Sequence, residues 1–277
     1  MTVTDLSSAI ATIDDGATVG LAGFAITRNA VAAAHELIRA GRRELTLVQV
    51  VGGIETDLLV AAGCVRSLHY SGGSLDRFGP LHAVNRAISD GSLTAFEYSS
   101  LSLTLRLTAA WLGLPFLPCC SMLGSQLLKQ LLDAEDSGVQ LGSDPFTGGA
   151  VVLLRALHPD VTIVHADRAD SAGNAEVSGP TWALRETALA ARRVIVVCEE
   201  LVPVGAIDPR LVTLPGLVVD LVVPVQYAAL PTAVHGRYDY DRDHLIRYAA
   251  AAAAGGTALR DYLDDLPDYH HAGLQPT

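Results

Sequence analysis

Apolar residues fall along the chain in short runs, and the spacing within and between those runs decides the elements. Leu6, Ile10 and Ile13 recur at helical spacing after Thr4-Asp5, which predicts a helix over 4–13 capped at its start. Asp14-Asp15-Gly16 is a turn signal, and the run at 17–22 that follows has no polar face, as a buried strand requires. The alternation continues with helices over 28–40, 57–62 and 80–89 and strands over 45–51, 65–70 and 93–97. Residues 99–108 are ambiguous. Leu101, Leu103, Leu105 and Leu107 repeat with period two, as in a strand, yet Ser99 or Ser100 can cap a helix and Ala109-Ala110-Trp111-Leu112 continue it to Gly113. The context favours a helix.

Past that point the pattern loosens. Residues 114–118 read as an extended bridge, and 119–149 as an irregular excursion that grows polar toward Ser143-Asp144-Pro145-Phe146-Thr147-Gly148-Gly149. The βα alternation resumes with strands at 150–154, 161–165, 194–198 and 218–223 and a helix near 182–191, and a helical tail over 241–277 closes the chain. The six alanines at 249–254 give a helix face with little side-chain bulk, suited to close packing. Strands without a polar face, alternating with helices, predict an α/β fold: an open, mainly parallel sheet covered by helices on both faces, read as a single domain over 1–277. Right-handed crossovers then bring the carboxyl ends of the strands to one edge, where such sheets bind ligands.

Composition narrows the classes of function. Half the residues are hydrophobic, but no apolar run approaches the ~20 residues a spanning helix needs, so no membrane is implicated. Asp and Glu number 30 against 19 Lys and Arg, a net charge of −11 with no basic stripe, which argues against nucleic acid. Lys129 is the only lysine, so no lysine is placed for a Schiff base or a phosphate loop. The N-terminal residues show neither the basic nor the apolar region of a signal peptide. Cys64, Cys119, Cys120 and Cys198 lack disulfide or metal-ligand spacing, and His270-His271 sit in a polar tail. The expectation is a cytoplasmic protein with reduced cysteines and no metal.

Candidate chemistry concentrates at the strand exits. There is no Gly-x-Ser-x-Gly elbow, no Walker loop and no Gly-x-Gly-x-x-Gly after the first long strand. Gly23-Phe24 follows that strand, and a glycine there lets a backbone N–H approach a ligand, although an ordinary tight turn reads the same. Ser71-Gly72-Gly73-Ser74 closes another strand, and hydroxyls with free amides suit a carboxylate or thioester oxygen. Glu97 stands between Phe96 and Tyr98 at the end of its strand. A carboxylate held partly out of water there would have the raised pKa of a general acid or base; a surface charge is the alternative. Asp170 to Asn174 reads as an Asx-type turn with a structural role.

Taken together, these segments resemble the alpha subunits of class I coenzyme A transferases, and that of glutaconate CoA-transferase in particular. The resemblance rests on Val19-Gly20-Leu21-Ala22-Gly23-Phe24 followed by Thr27-Arg28-Asn29, and on Glu97-Tyr98 with Gly113-Leu114-Pro115-Phe116-Leu117-Pro118. It continues through Met122-Leu123-Gly124-Ser125, Asp144-Pro145-Phe146, His165-Ala166-Asp167 with Gly173-Asn174, and Cys198-Glu199-Glu200. Leu214-Pro215-Gly216 with Val219-Asp220, and Gly236-Arg237-Tyr238-Asp239-Tyr240-Asp241, complete it. Each segment is weak alone; their order and spacing are specific.

The resemblance implies an obligate beta-subunit partner carrying the glutamate that forms the glutamyl-CoA thioester, in an αβ or α2β2 assembly. It implies coenzyme A thioester as substrate rather than resident cofactor, with a small, possibly dicarboxylic, acid as acceptor. It also implies an acyl pocket lined by Gly23, Phe24, Ser71, Gly72, Gly73 and Ser74. Two positions depart from the family pattern: Ala22 replaces a glycine and Leu230 a histidine. Related alpha subunits belong to complexes that hydrolyse a ring of a CoA-linked substrate or decarboxylate one. The resemblance to the hydrolases implies a catalytic role for Glu97, as the base.

Overall fold

A computed structural model describes residues 2–267. The elements run β1 (Thr2–Val3), α1 (Leu6–Ala11), β2 (Thr18–Leu21), α2 (Val31–Arg39), β3 (Leu45–Val48), α3 (Ile54–Ala61), β4 (Val65–Tyr70), α4 (His82–Ser89) and β5 (Thr94–Glu97). Then follow α5 (Ser100–Trp111), β6 (Phe116–Cys119), α6 (Gln126–Asp133), β7 (Val139–Ser143), β8 (Ala150–Arg155) and β9 (Val161–Asp170). The remainder is β10 (Ala175–Glu176), α7 (Leu184–Ala190), β11 (Val194–Val202), β12 (Val212–Leu214), β13 (Leu221–Pro224), α8 (Arg242–Ala254) and α9 (Gly256–Asp264).

The main sheet has the order β1-β13-β11-β9-β2-β3-β4-β5, and every pair along that path is parallel. Its central strands β2, β3, β9 and β11 are buried on both faces over most of their length. In β9, Ile163 faces the core shared with α1 to α4 and α8, and Val164 faces the core shared with α7. The expected open parallel sheet with two helical layers is therefore the fold. β10 and β12 add a short antiparallel flap beyond the end of β9, and the Asp170 turn before β10 is closed by Asp170 Oδ1, which accepts from the amides of Ala172 and Asn174, both at 2.9 Å.

Local chemistry starts the helices where the sequence predicts. Asp5 accepts from the Ser8 amide at 2.8 Å and Ser99 from the Ser102 amide at 3.1 Å, each supplying an otherwise unpaired N-terminal N–H with an acceptor. Ser99–Thr108 thus becomes helix: Leu103, Leu107 and Ala110 share its buried face, while Leu101 stays exposed. The two-residue rhythm of its leucines is incidental.

The excursion at 119–149 is more ordered than its sequence suggests. It contains α6 and β7, and with the 114–118 bridge, which becomes β6, it builds a separate antiparallel sheet in the order β6-β8-β7. β8 accordingly belongs to this small sheet and not to the main one. Its strands are short and half exposed, so they lack the unbroken apolar runs that mark the main sheet. The buried guanidinium of Arg106 ties the small sheet to α5, donating to the carbonyls of Arg155 (2.9 Å) and Ser137 (2.8 Å) and to the Tyr98 hydroxyl (2.6 Å). The helical tail contains α8 and α9; His270 and His271 lie outside the described residues.

Candidate active site at the carboxyl edge

The sheet is wound outward in both directions from its middle. β3, β4 and β5 follow β2 on one side, and β9, β11 and β13 succeed one another on the other. Neighbouring connections leave β2 and β9 in opposite directions there, and the crevice they leave at the carboxyl ends is where open α/β sheets place ligands. The strand exits that line this edge form one connected row.

β2 exits through Ala22-Gly23-Phe24. The Phe24 amide donates to Thr27 O (2.9 Å) and the Thr27 amide returns to Phe24 O (2.8 Å), closing a tight loop with Ala25 at φ 48°. A Cβ on Gly23 would stand 2.6 Å from both Asn29 Nδ2 and Glu55 Oε1, so the glycine is required by this packing beneath the edge. Ala22 packs toward the core on the α7 side, which takes its methyl away from the Asn29–Glu55 floor. The Phe24 ring stacks on Trp182 with centroids 3.8 Å apart and planes at 10°.

The β3 exit, Val51-Gly52-Gly53, lies between the other two. Val51 bridges to Phe24 and Gly52 to Gly73. Gly53 leads into α3, whose residues 54–60 are all buried, including Glu55 and Asp57. Glu55 Oε1 accepts from Gln49 Nε2 at 2.6 Å, and the same amide reaches Gly23 O at 3.2 Å. Burial pushes the Glu55 carboxyl up to about 7, against the opposing pull of the Asn29 and Gln49 amides. Its Oε2 and both amide atoms of Asn29 are buried without a well-formed hydrogen bond among the described residues.

At the β4 exit the Ser71 amide donates to Val50 O (3.0 Å), the Ser74 amide to Gly52 O (3.2 Å) and the Gly52 amide to Gly72 O (3.0 Å). The amides of Ser71 and Ser74, expected to be free, are therefore engaged between strands. The Ser71 hydroxyl donates to Val50 O and lies 2.9 Å from that of Ser100. Gly72 adopts φ 98° with nothing near its missing Cβ, so only glycine keeps this turn relaxed and the space above it open.

Glu97 ends β5 beside Tyr70, so it stands on the predicted edge. It is exposed, which corrects the expectation of a carboxylate half withdrawn from water. The pleat explains the difference: Phe96 and Tyr98 turn inward, where Phe96 stacks on His69 at 4.7 Å and the Tyr98 hydroxyl meets His69 Nδ1 at 2.9 Å. Burial lowers His69 to about 3 and keeps it neutral.

A second polar cluster occupies the β9 and β11 side. His165 Nε2 donates to Glu199 Oε1 at 2.7 Å, and Glu199 also accepts from the Tyr238 hydroxyl and the Tyr227 amide. Burial lowers the His165 pKa and keeps the imidazole neutral; burial also acts to raise Glu199, but the hydrogen bonds it accepts outweigh this and hold it below the usual range. Buried Arg28 pairs with Asp167 at 2.9 Å, donates to Ser178 O at 2.7 Å and faces His165 Nδ1 at 3.5 Å. Glu199, Glu200, Gln226, Tyr227, Arg237 and Tyr238 line a cavity of about 290 Å³ above this network. A larger cavity, about 780 Å³, is lined by the small sheet and its flanks rather than by the strand exits.

Sequence reasoning placed Gly23, Phe24, the 71–74 turn and Glu97 on one edge, and the structure places them there. It gave no role to Glu55 or Trp182, and it named Arg28 and Glu199 only within the segments that carry the resemblance. Glu55 left a signal in the pattern itself: acids at 55 and 57 in an otherwise apolar helix leave no polar face to carry them. Among the described residues, no three His, Cys, Asp or Glu side chains are grouped to hold a metal ion.

The model of the coenzyme A transferase family matches residues 3–224. The chain is 35% identical over 243 residues to an uncharacterized protein of Archaeoglobus fulgidus, covering 86% of this chain and 53% of that one, so it spans about half of that relative. It is 34% identical to the alpha subunit of 3-oxoadipate CoA-transferase from Pseudomonas knackmussii (83% of this chain, 80% of the relative). To the alpha subunit of glutaconate CoA-transferase from Acidaminococcus fermentans it is 33% identical (89% and 82%). The crystal structure of that glutaconate enzyme superposes with a TM-score of 0.88 at 29% identity, covering 98% and 91% of the two chains. A crystal structure of the decarboxylase AibA/AibB superposes with a TM-score of 0.85 at 36% identity, covering 95% and 96%. The chain, with its parallel sheet and glycine-rich carboxyl edge, belongs to the coenzyme A transferase family and is of the alpha-subunit type.

Proposed function

We propose that the chain is the alpha subunit of a heteromeric CoA-transferase that moves CoA from an acyl-CoA to a small carboxylic acid. One observation carries this reading: among the described residues the edge has an apolar wall, hydroxyls and open glycine turns, but no poised nucleophile. Glu55 is sealed beneath Gly23, Glu199 is spent on His165, Tyr238 and Tyr227, and Glu97 stands exposed to water. Half a site of this kind is completed by a beta subunit that brings the glutamate. That carboxylate attacks the acyl-CoA carbonyl and expels CoA thiolate; the thiolate then attacks the glutamyl carbonyl, releasing the donor acid and leaving a glutamyl-CoA thioester that the acceptor acid consumes in reverse. CoA is substrate here, and no resident cofactor takes part.

The exposure of Glu97 at the mouth of the edge supports a second reading, with Glu97 as the base of a hydrolase or decarboxylase on the same scaffold. Mass spectrometry of the co-expressed pair after incubation with acyl-CoAs separates the two. A mass gain on a beta-subunit glutamate, retained in Glu97→Gln, is expected. A modified residue in this chain sinks the assignment. Free CoA or carbon dioxide without an adduct, abolished by Glu97→Gln with assembly intact, establishes the second reading.

A further inference from the structure

The sequence gives Trp182 no role beyond the start of the helix expected near 182–191, yet the observed helix begins at Leu184 and Trp182 stands out at the edge. It is 58% exposed, its backbone sits at φ 45°, and its ring covers Phe24 in a parallel stack. Two more non-glycine residues with positive φ, Ala25 (48°) and Arg28 (57°), stand in the Phe24 loop itself. Left-handed backbone is unfavourable for a residue with a Cβ, and such strain persists only where the surroundings impose it. Here they do. Arg28 grips Asp167 and Ser178 O, and the Ser178 amide donates to Asp167 at 2.6 Å, which fixes the strand of chain that leads to Trp182.

We infer that the Trp182–Phe24 stack is the wall against which the acyl group of the substrate lies, and that Trp182 sets the size of acyl group accepted. The inference rests on the transferase reading of this edge. From the stack, the row of exits runs by way of Val51-Gly52 to Gly72, open above its missing Cβ, and to the hydroxyls of Ser71 and Ser100. That distance is two strand spacings, about 10 Å. An apolar face at one end and hydroxyls at the other give the polarity of a short acyl thioester, and ligand sites have this make-up of aromatic wall with few placed polar groups. An aromatic that served only to dock a protein partner would need neither the open glycine turn farther along the same row nor the strained loop that presents it.

The test uses the complex of this chain with its beta subunit. A series of acyl-CoAs of increasing length and branching is offered, and kcat/KM is measured for wild type, Trp182→Phe and Trp182→Ala. Trp182→Ala is expected to lower kcat/KM for the best wild-type donor about tenfold and to move the preference toward bulkier acyl groups by a similar factor, with Trp182→Phe close to wild type. A uniform fall across the series overturns the inference, and so does loss of the complex on size exclusion. The chain has two tryptophans, so Trp111→Phe leaves Trp182 as its sole reporter. Acyl-CoA, but not free CoA, should change an emission signal that vanishes in Trp182→Phe. If the wild-type complex shows this signal and transfers no CoA, the transferase reading falls and the wall stands. If it transfers CoA with no such signal and no change in preference, the wall falls.

Discussion

Glu55 places an ionisable group where water cannot reach it, and this makes a quantitative prediction for Glu55→Gln. An exposed glutamate ionises near 4.5, and Glu55 in the folded chain near 7. Each tenfold change in proton affinity is worth about 1.4 kcal/mol, so about 3 kcal/mol of stability depends on the proton of this side chain. The folded pKa is the higher one. That stability is therefore fully present below pH 4.5, drains away as the unfolded chain ionises, and is gone once the pH passes about 7. Glutamine cannot ionise, and it keeps an oxygen for the Gln49 amide. Its own amide would replace Oε2, which makes no well-formed hydrogen bond among the described residues, so the variant carries a constant offset of about 1 kcal/mol. Urea denaturation of both proteins at pH 4.5, 6 and 7.5 isolates the effect, because every other carboxylate cancels in the difference. The variant should gain on wild type steadily, by about 3 kcal/mol across the range. A difference that stays flat, or that runs toward acid, refutes the claim that Glu55 resists ionisation.

Arg106→Met should cost about 2–3 kcal/mol by removing the donor to Arg155 O and one donor each from Ser137 O and the Tyr98 hydroxyl, which keep their bond to each other at 2.7 Å, and amide exchange should rise in the small sheet before it rises in β2 or β9; an even rise would refute the view of Arg106 as the tie between α5 and the small sheet. Gly23→Ala should be the costlier of two glycine changes, at about 2–3 kcal/mol, because its methyl meets Asn29 and Glu55. Gly72→Ala meets only the backbone penalty of its positive φ, about 1 kcal/mol, and equal losses in a thermal melt would contradict the packing described beneath Gly23.

The parts of the fold that were legible share a physical cause. β2, β3, β9 and β11 are covered on both faces, so Val, Leu and Ile, interrupted only by small or uncharged residues, make runs without a polar face that are visible in the sequence. The small sheet hides because Phe116 and Leu141 are exposed there while their neighbours are polar or half-buried. The strand exits were readable since glycine at the end of an apolar run has few other uses. Glu97 was placed on the right edge but given the wrong surroundings: the pleat, which depends on register, turns its aromatic neighbours inward. Trp182 was illegible because its importance is a matter of distance alone. More than 150 residues separate it from Phe24 in the chain, and nothing in Thr181-Trp182-Ala183 announces the stack.

The pairing of β2 with β9 joins Val19 to Val161 and Leu21 to Ile163, about 140 residues apart. During synthesis, β2 to β5 can assemble among themselves as they emerge, but one side of β2 has to wait until the chain has grown past residue 163. Closing a loop of that length costs about 4 kcal/mol of chain entropy before the central pair returns any of it. β1 waits longer still, for Leu221 and Val222. The strand that bears the Gly23-Phe24 turn is thus a bare edge for much of the chain's making, and the crevice at the sheet's middle comes into being only when the two halves, each already begun, meet along it.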